Sequence, residues 1–143
     1  MEDLFPFTMR EELEMAGRLI AAGVFGGALG YEREQADKPA GMRTLALVAM
    51  GAALFTLVSS MAFGQAAEPS RIAASIVTGI GFVGGGVIFR TGLTVVGVTT
   101  AATIWVSAAI GMATGAGMYI LSVAATLLAV GVLRLLPKPN SRE

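Results

Sequence analysis

The sequence contains neither cysteine nor histidine. The first absence excludes disulfides, thiolate metal sites and cysteine nucleophiles. The second removes the commonest metal ligand and the commonest general base. Charge is nearly as scarce: between Thr44 and Leu133 the only charged side chains are Glu68, Arg71 and Arg90. With no carboxylate inside an apolar run, and no His or Cys, the chain has no visible catalytic constellation and is not expected to be an enzyme. Ten basic and ten acidic residues cancel, so nucleic-acid binding has no electrostatic support. A positive leader is also missing. The first 14 residues set Glu2, Asp3, Glu11, Glu12 and Glu14 against Arg10 alone. A cleaved signal peptide starts positively charged, so the first apolar segment reads as a retained span.

What the chain does have is apolar length. Of its 143 residues 55% are hydrophobic, with mean hydropathy +0.73, more than one small soluble core can hide. About 20 apolar residues cross about 30 Å of hydrocarbon as a helix. The uncharged runs 44–67 and 72–89 each suffice for one crossing, and 91–133 for two. We expect an all-α membrane protein: one transmembrane domain of about five helices, at about 13–30, 44–63, 72–89, 99–116 and 118–136, with a short polar tail at 137–143. Arg18 lies near the outer end of the first span and can snorkel to the interface. Pro69 suits the start of the third span, Thr114-Gly115-Ala116-Gly117 forms a tight turn before the fifth, and Pro137 and Pro139 end it. Five crossings put Arg33, Lys38, Arg43, Arg90, Arg134, Lys138 and Arg142 on one side, and Arg10, Arg18 and Arg71 on the other. The positive-inside rule then predicts the N-terminus outside and the C-terminus in the cytoplasm.

Glycine is abundant, 19 residues, about twice the usual share of about 7%. The pairs Gly23/Gly27, Gly26/Gly30, Gly81/Gly85 and Gly111/Gly115 are each four apart, which puts both glycines on one helix face and predicts close helix packing, within the chain or between chains. Gly79-Ile80-Gly81-Phe82-Val83-Gly84 matches a dinucleotide fingerprint in letters only. It lacks the preceding strand, and Thr99 and Thr100 stand where an acidic residue belongs. With Gly79, Gly81, Gly84, Gly85 and Gly86, this third span either packs very closely or bends to expose carbonyls along a path.

The charged loop 31–43 sits between the first two spans. Glu34, Asp37 and Lys38 read as ordinary solvated loop residues. Glu32 and Arg43 sit at the membrane boundary, where charges pair or mark function; a Glu32–Arg43 pair joining the two spans is expected. Arg71 and Arg90 bracket the third span. The segment 91–100 reads as a loop, a short hairpin or a re-entrant piece. Thr99, Thr100 and Thr103 are expected to cap the fourth span rather than to bond across to other helices. Trp105, within that span, needs a partner for its indole N–H.

These residues resemble a known family. Gly41 to Thr44 (G-x-R-T), Arg71 to Ala74 (R-I-A-A), Gly79 to Ile88 (G-I-G-F-V-G-G-G-V-I), Thr99 to Ala108 (T-T-A-A-T-I-W-V-S-A) and Gly30-Tyr31-Glu32-Arg33 together are similar to the MgtC/SapB family, over nearly all of residues 15–136. The resemblance implies a bacterial inner-membrane protein of about five helices, associated with low magnesium, virulence and acid stress. It also implies action by restraining the F-type ATP synthase rather than by carrying magnesium. Members often add a soluble C-terminal domain, and none is expected within a chain ending at Glu143. By position Glu32, Arg33, Arg43, Thr44, Arg71, the glycines, Thr100 and Trp105 match the family pattern. Thr91, Thr94 and Val96 depart from it, where an acidic residue, Asn and a second Arg are usual. The segment before the fourth span is therefore less charged here.

Two functions remain open on the residues. One is a regulatory protein that binds another membrane complex through its glycine faces. The other is a small transporter or channel for Mg²⁺, K⁺ or H⁺, with Glu32 and the arginines (Arg90 among them) at its mouth. Mg²⁺ needs near-octahedral oxygen ligands; outside the N-terminal tail and the 31–43 loop only Glu68 remains, on the opposite side, so neither a metal site nor a cofactor is expected. The partners expected are the bilayer, a second copy of the chain as a homodimer, and a membrane protein such as the ATP synthase.

Overall fold

The computed structural model describes residues 7–61 and 68–136. The end of the expected second span beyond Met61, the tail 137–143, Pro137 and Pro139 lie outside the described residues. The described residues form five helices: α1 Met9–Gln35, α2 Met42–Met61, α3 Pro69–Gly86, α4 Val98–Gly115 and α5 Tyr119–Leu135. Among the described residues a two-stranded hairpin, β1 Phe89–Thr91 and β2 Thr94–Val96, is the sole sheet. This is an all-α membrane protein. Three helices, α1, α2 and α4, are long and apolar enough to cross a bilayer. α5 is apolar but has 17 residues, while glycines and Arg71 dilute α3.

α1 runs past its apolar stretch at both ends because each end is capped. Thr8 and Glu11 form a capping box. The backbone N–H of Thr8, then its hydroxyl, donate to the Glu11 carboxylate, at 2.8 Å each, and hold that exposed group below the usual carboxylate range. At the other end Lys38 N–H donates to Arg33 O and Asp37 N–H to Glu34 O, a Schellman stop with Asp37 in the left-handed region at φ 54°. The same device ends α4. Met118 N–H reaches Ala113 O, Gly117 N–H reaches Thr114 O, and Gly117 takes φ 82°. The segment after Arg90 is a hairpin. Its pairing Thr91↔Thr94 leaves a two-residue loop with Gly92 at φ 64°, the glycine-first pattern of type II′ turns.

α2 lies at the centre, packed between α1 and α4; α3 leans on α4 and α2, and α5 on α1 and α4. Glycine lets the backbones meet. A Cβ on Gly26 would fall 2.3 Å from Leu45 O, and one on Gly30 2.4 Å from Met42 Cα, so α1 runs antiparallel down α2. From α4, a Cβ on Gly111 would fall 2.0 Å from Ala49 O and one on Gly115 2.7 Å from Ala53 O. One turn further back on α4, Ser107 Oγ donates to Leu45 O at 2.8 Å. Ser107, Gly111 and Gly115 thus meet Leu45, Ala49 and Ala53 in the same order, so α4 runs parallel to α2. Ala22, Leu45, Ala49 and Ala53 are fully buried there.

The other glycines divide differently. Gly23 meets only the Met50 thioether, while Gly27, Gly79, Gly81, Gly85 and Gly86 have nothing within 4 Å. Gly84 alone in α3 makes ordinary contact, with Ala101. Within the chain, then, the Gly26/Gly30 and Gly111/Gly115 pairs pack and the Gly23/Gly27 and Gly81/Gly85 pairs do not.

Neighbouring glycines in α1 should respond oppositely to a methyl group. Gly26→Ala must push α1 off the Leu45 carbonyl and should cost about 1–3 kcal/mol or more. Gly27→Ala meets open space and should be neutral or gain up to about 1 kcal/mol of helix propensity. Denaturant unfolding of the three proteins in one detergent measures both, and an equal effect of the two substitutions would contradict the helix packing.

Candidate functional site

One end of the bundle gathers the C-terminus of α1, the N-termini of α2 and α4, and the hairpin. Glu32 and Arg33, the last charged pair before the loop, are each only 5% exposed. They are buried because α1 continues beyond Gly30 and carries them against the rest of the bundle. Arg33 Nη2 donates to Thr100 Oγ1, 3.0 Å away on α4, in a buried hydrogen bond. Among the described residues Arg33 Nε and Glu32 Oε2 have no hydrogen-bond partner. A buried acceptor without a donor is costly, and a buried carboxylate more so. This end is therefore electrostatically unfinished. A cation, or a donor brought by another molecule, would complete it.

The loop is tied by a different residue from the one expected. Glu34 Oε1 accepts from the Met42 N–H at 2.8 Å and so caps α2. Gly41 leaves room for it, since a Cβ there would lie 2.3 Å from the same oxygen. Arg43 and Thr44 face outward and are exposed. The expected Glu32–Arg43 pair does not form: among the described residues the ion pairs are Arg18–Glu14 and Arg71–Glu68. The physical reason is helix phase. Arg43 lies in α2's first turn on its outward side, whereas Glu32 is rotated into the bundle. The expected threonine caps also fail. Gly97, at φ 88°, is the N-cap of α4 and no side chain caps that end. A Cβ on Gly97 would fall 1.9 Å from Val87 O, so the hairpin's return requires glycine there. Thr100 bonds across to α1 instead, and Thr103 Oγ1 bonds back to Thr99 O.

The remaining sequence candidates are scattered. Arg71 is highly exposed, 3.9 Å from Glu68, at the opposite end. Arg90 donates from Nε to Gly92 O within its own hairpin. Trp105 is half exposed on the outward side of α4. Of all these, the structure brings together Glu32, Arg33 and Thr100. Arg18 does more than reach for the interface. Its Nη1 donates to Gly115 O at 3.0 Å and caps the C-terminus of α4, while Nη2 pairs with Glu14. Sequence reasoning passes over Ser107, and reads Glu34 and Arg18 only as a solvated loop residue and an interface side chain. For Ser107 a signal existed, since it extends the Gly111/Gly115 spacing by one turn. Among the described residues no cluster of acidic side chains could hold a metal ion.

Comparison with known proteins adds a family. A family model described as MgtC family matches residues 19–142. "Putative magnesium transporter YhiD" of Escherichia coli (strain K12) is 46% identical over 125 residues, 82% of this chain and 58% of that protein. "Protein MgtC" of Brucella abortus (strain 2308) is 46% identical over 121 residues, 85% and 50% respectively. "Protein MgtC" of Salmonella typhimurium (strain 14028s / SGSC 2262) is 51% identical over 110 residues, 77% and 47%. The chain thus spans about half the length of the relatives it matches. No solved structure matches it.

The Arg33–Thr100 bond is a charge-assisted contact in a dry setting, worth about 1.5–3 kcal/mol. Thr100→Val should lose that amount and Arg33→Ala at least as much. A double-mutant cycle read by unfolding in detergent should give a coupling energy well above about 0.5 kcal/mol. Additive effects would mean that the two side chains do not cooperate.

Proposed function

The chain belongs to the MgtC family, and on that premise we propose that it is a magnesium-related protein of the bacterial inner membrane that regulates a membrane partner by helix–helix association. The single observation that carries this reading is α3. Both glycine pairs that can serve folding, Gly26/Gly30 and Gly111/Gly115, are used against α2, whereas Gly79, Gly81, Gly85 and Gly86 meet nothing. A helix with that many glycines gives up about 0.5–1 kcal/mol of intrinsic stability at each. Close backbone contact with another molecule offsets the loss. The occupants we favour are a second copy of the chain and, on the family resemblance, a membrane complex such as the F-type ATP synthase, under low-magnesium or acid stress. The orientation that fits is N-terminus outside and C-terminus in the cytoplasm, with Arg33, Lys38, Arg43, Arg90 and Arg134 on the inner side.

A second reading, a small ion transporter, draws on the name printed for YhiD and on one observation, the buried, unpartnered Glu32 oxygen. It gains no support from α3 as a path, because among the described residues only Gly84 of that helix's glycines meets another helix.

Both readings meet in one experiment on the full chain in lipid bilayers. Wild type should self-associate, and Gly81→Leu with Gly85→Leu should weaken that association about tenfold or more, about 1.4 kcal/mol, with helical content unchanged. Proteoliposomes should show no Mg²⁺, K⁺ or proton flux above empty vesicles. Flux that Glu32→Gln abolishes, in a protein whose association ignores the glycine changes, would replace the first reading by the second.

A further inference from the structure

The β1–β2 hairpin is apolar where a solvated hairpin is polar. Its two-residue loop is Gly92-Leu93, and Leu93 is 93% exposed. The second place in such a loop ordinarily takes Asn, Asp or Ser. Phe89 is 61% exposed, and Val95 is exposed with it. The register puts Phe89 and Val96 on one face of the ribbon and Arg90 and Val95 on the other. Arg90 Nε donates to Gly92 O, and its two terminal nitrogens have no hydrogen bond among the described residues. No aspartate or glutamate occurs anywhere from Ile72 to Leu136. Lys38 and Arg43 are exposed at the same end of the bundle, and α5 returns the exposed Arg134 to it. The exposed acids there are Glu34, which caps α2, and Asp37.

The length of the bundle sets the depth of this hairpin. Arg33 marks one polar end of the packed helices through Thr100, and Arg18 marks the other through Gly115. From Thr100 to Gly115 α4 rises about 22 Å at about 1.5 Å per residue. That is shorter than the roughly 30 Å of bilayer hydrocarbon. A hydrocarbon core centred on this span reaches about 4 Å beyond Thr100, as far as Gly97 and the base of the hairpin. α3 ends at the same level, since Gly84 meets Ala101. The ribbon therefore starts at the edge of the hydrocarbon. Its unpaired backbone edges bar it from the hydrocarbon itself, which leaves the headgroup layer. We propose that the hairpin is an anchor on an anionic phospholipid surface, with Leu93 and Phe89 set into the acyl chains and Arg90 on the phosphates. The anchor tethers α3, which leans on the bundle, at its C-terminal end. It needs no second protein and holds in either orientation of the chain; under the orientation proposed above, the surface is the inner leaflet.

Because the chain has no cysteine, one introduced thiol carries one probe. Leu93→Cys, at an exposed tip where it disturbs no packing, is labelled with the fluorophore NBD. The full chain is read in nanodiscs of phosphatidylcholine and phosphatidylglycerol, which leave both membrane faces open to buffer. Glu12→Cys, exposed in the first turn of α1, is the water reference, and Leu128→Cys, exposed on α5, the lipid reference. Iodide should quench the label at Leu93 about threefold less than at Glu12, and spin-labelled phosphatidylcholine should quench it nearly as well as at Leu128. Phosphatidylglycerol bearing the same spin label should quench about twofold more than phosphatidylcholine. Arg90→Gln should remove that preference, and Arg90→Lys, which keeps the charge, should retain it. Iodide quenching at Leu93 equal to that at Glu12 would mean a hairpin in water and would overturn the proposal. A label that neither iodide nor lipid reaches would mean that a second copy covers the hairpin, and would overturn it too. So would equal quenching by the two lipids with Arg90 in place.

Discussion

The contact on which the rest depends is the approach of two helix backbones to the carbonyls of α2. Leu45 O, Ala49 O and Ala53 O are already used inside α2, yet each has an α1 or α4 backbone or hydroxyl pressed against it. For a backbone, only a residue without a side chain can come that close, and Gly26, Gly111 and Gly115 sit where the geometry demands. In hydrocarbon there is no hydrophobic force to pull helices together, since the tails of lipids are as apolar as leucine. Association must come from dispersion at short range and from bonds between polar groups. A layer of three helices at glycine-limited spacing supplies the first, and Ser107, Arg33 and Arg18 supply the second. The outer helices α3 and α5 are then added to a finished layer and contribute less to it.

Polar groups inside the bundle follow one economy. Most hydroxyls are satisfied by their own helix, which makes them neutral passengers in an apolar medium. Three break the pattern, and each marks something. Ser107 crosses to α2 and sets its register with α4. Thr100 receives Arg33. Ser59 has nothing. Likewise, of the charges at the bundle's two ends, Arg18 is committed at both terminal nitrogens, whereas Glu32 keeps a bare oxygen. Thr100 and Glu32 lie at one end of the molecule and Ser59 and Arg18 at the other, and the packed alanine and glycine layer, with Ser107 in it, separates them.

The five helices were legible because charge is almost absent between Thr44 and Leu133 and glycine or proline punctuates the joins. The glycine pairs were legible as packing faces, but spacing could not distinguish those turned inward from those turned out. Gly26 and Gly27 are adjacent in sequence and opposite in fate. Residues at the ends of helices were harder. Glu32 and Arg43 looked like partners because both lie at the boundary, yet the Schellman turn at Asp37 and the cap by Glu34 fix the phase of α2 so that Arg43 points away. Thr100 looked like a cap, and the true cap is Gly97. Each miss concerns rotation about a helix axis, which tertiary contact sets and composition does not record. The MgtC family pattern located the right segments without saying which of their residues meet.

The two arginine bonds also impose an order on biogenesis. α1 leaves the ribosome before α2 and can pair with it as soon as that helix follows. Its two hydrogen-bond acceptors, Thr100 and Gly115, both belong to α4 and emerge some seventy to a hundred residues later. Until then Arg18 and Arg33 are borne by a half-made protein at the two faces of the membrane, with no helix to receive them. Docking of α4 then supplies both acceptors and closes the layer.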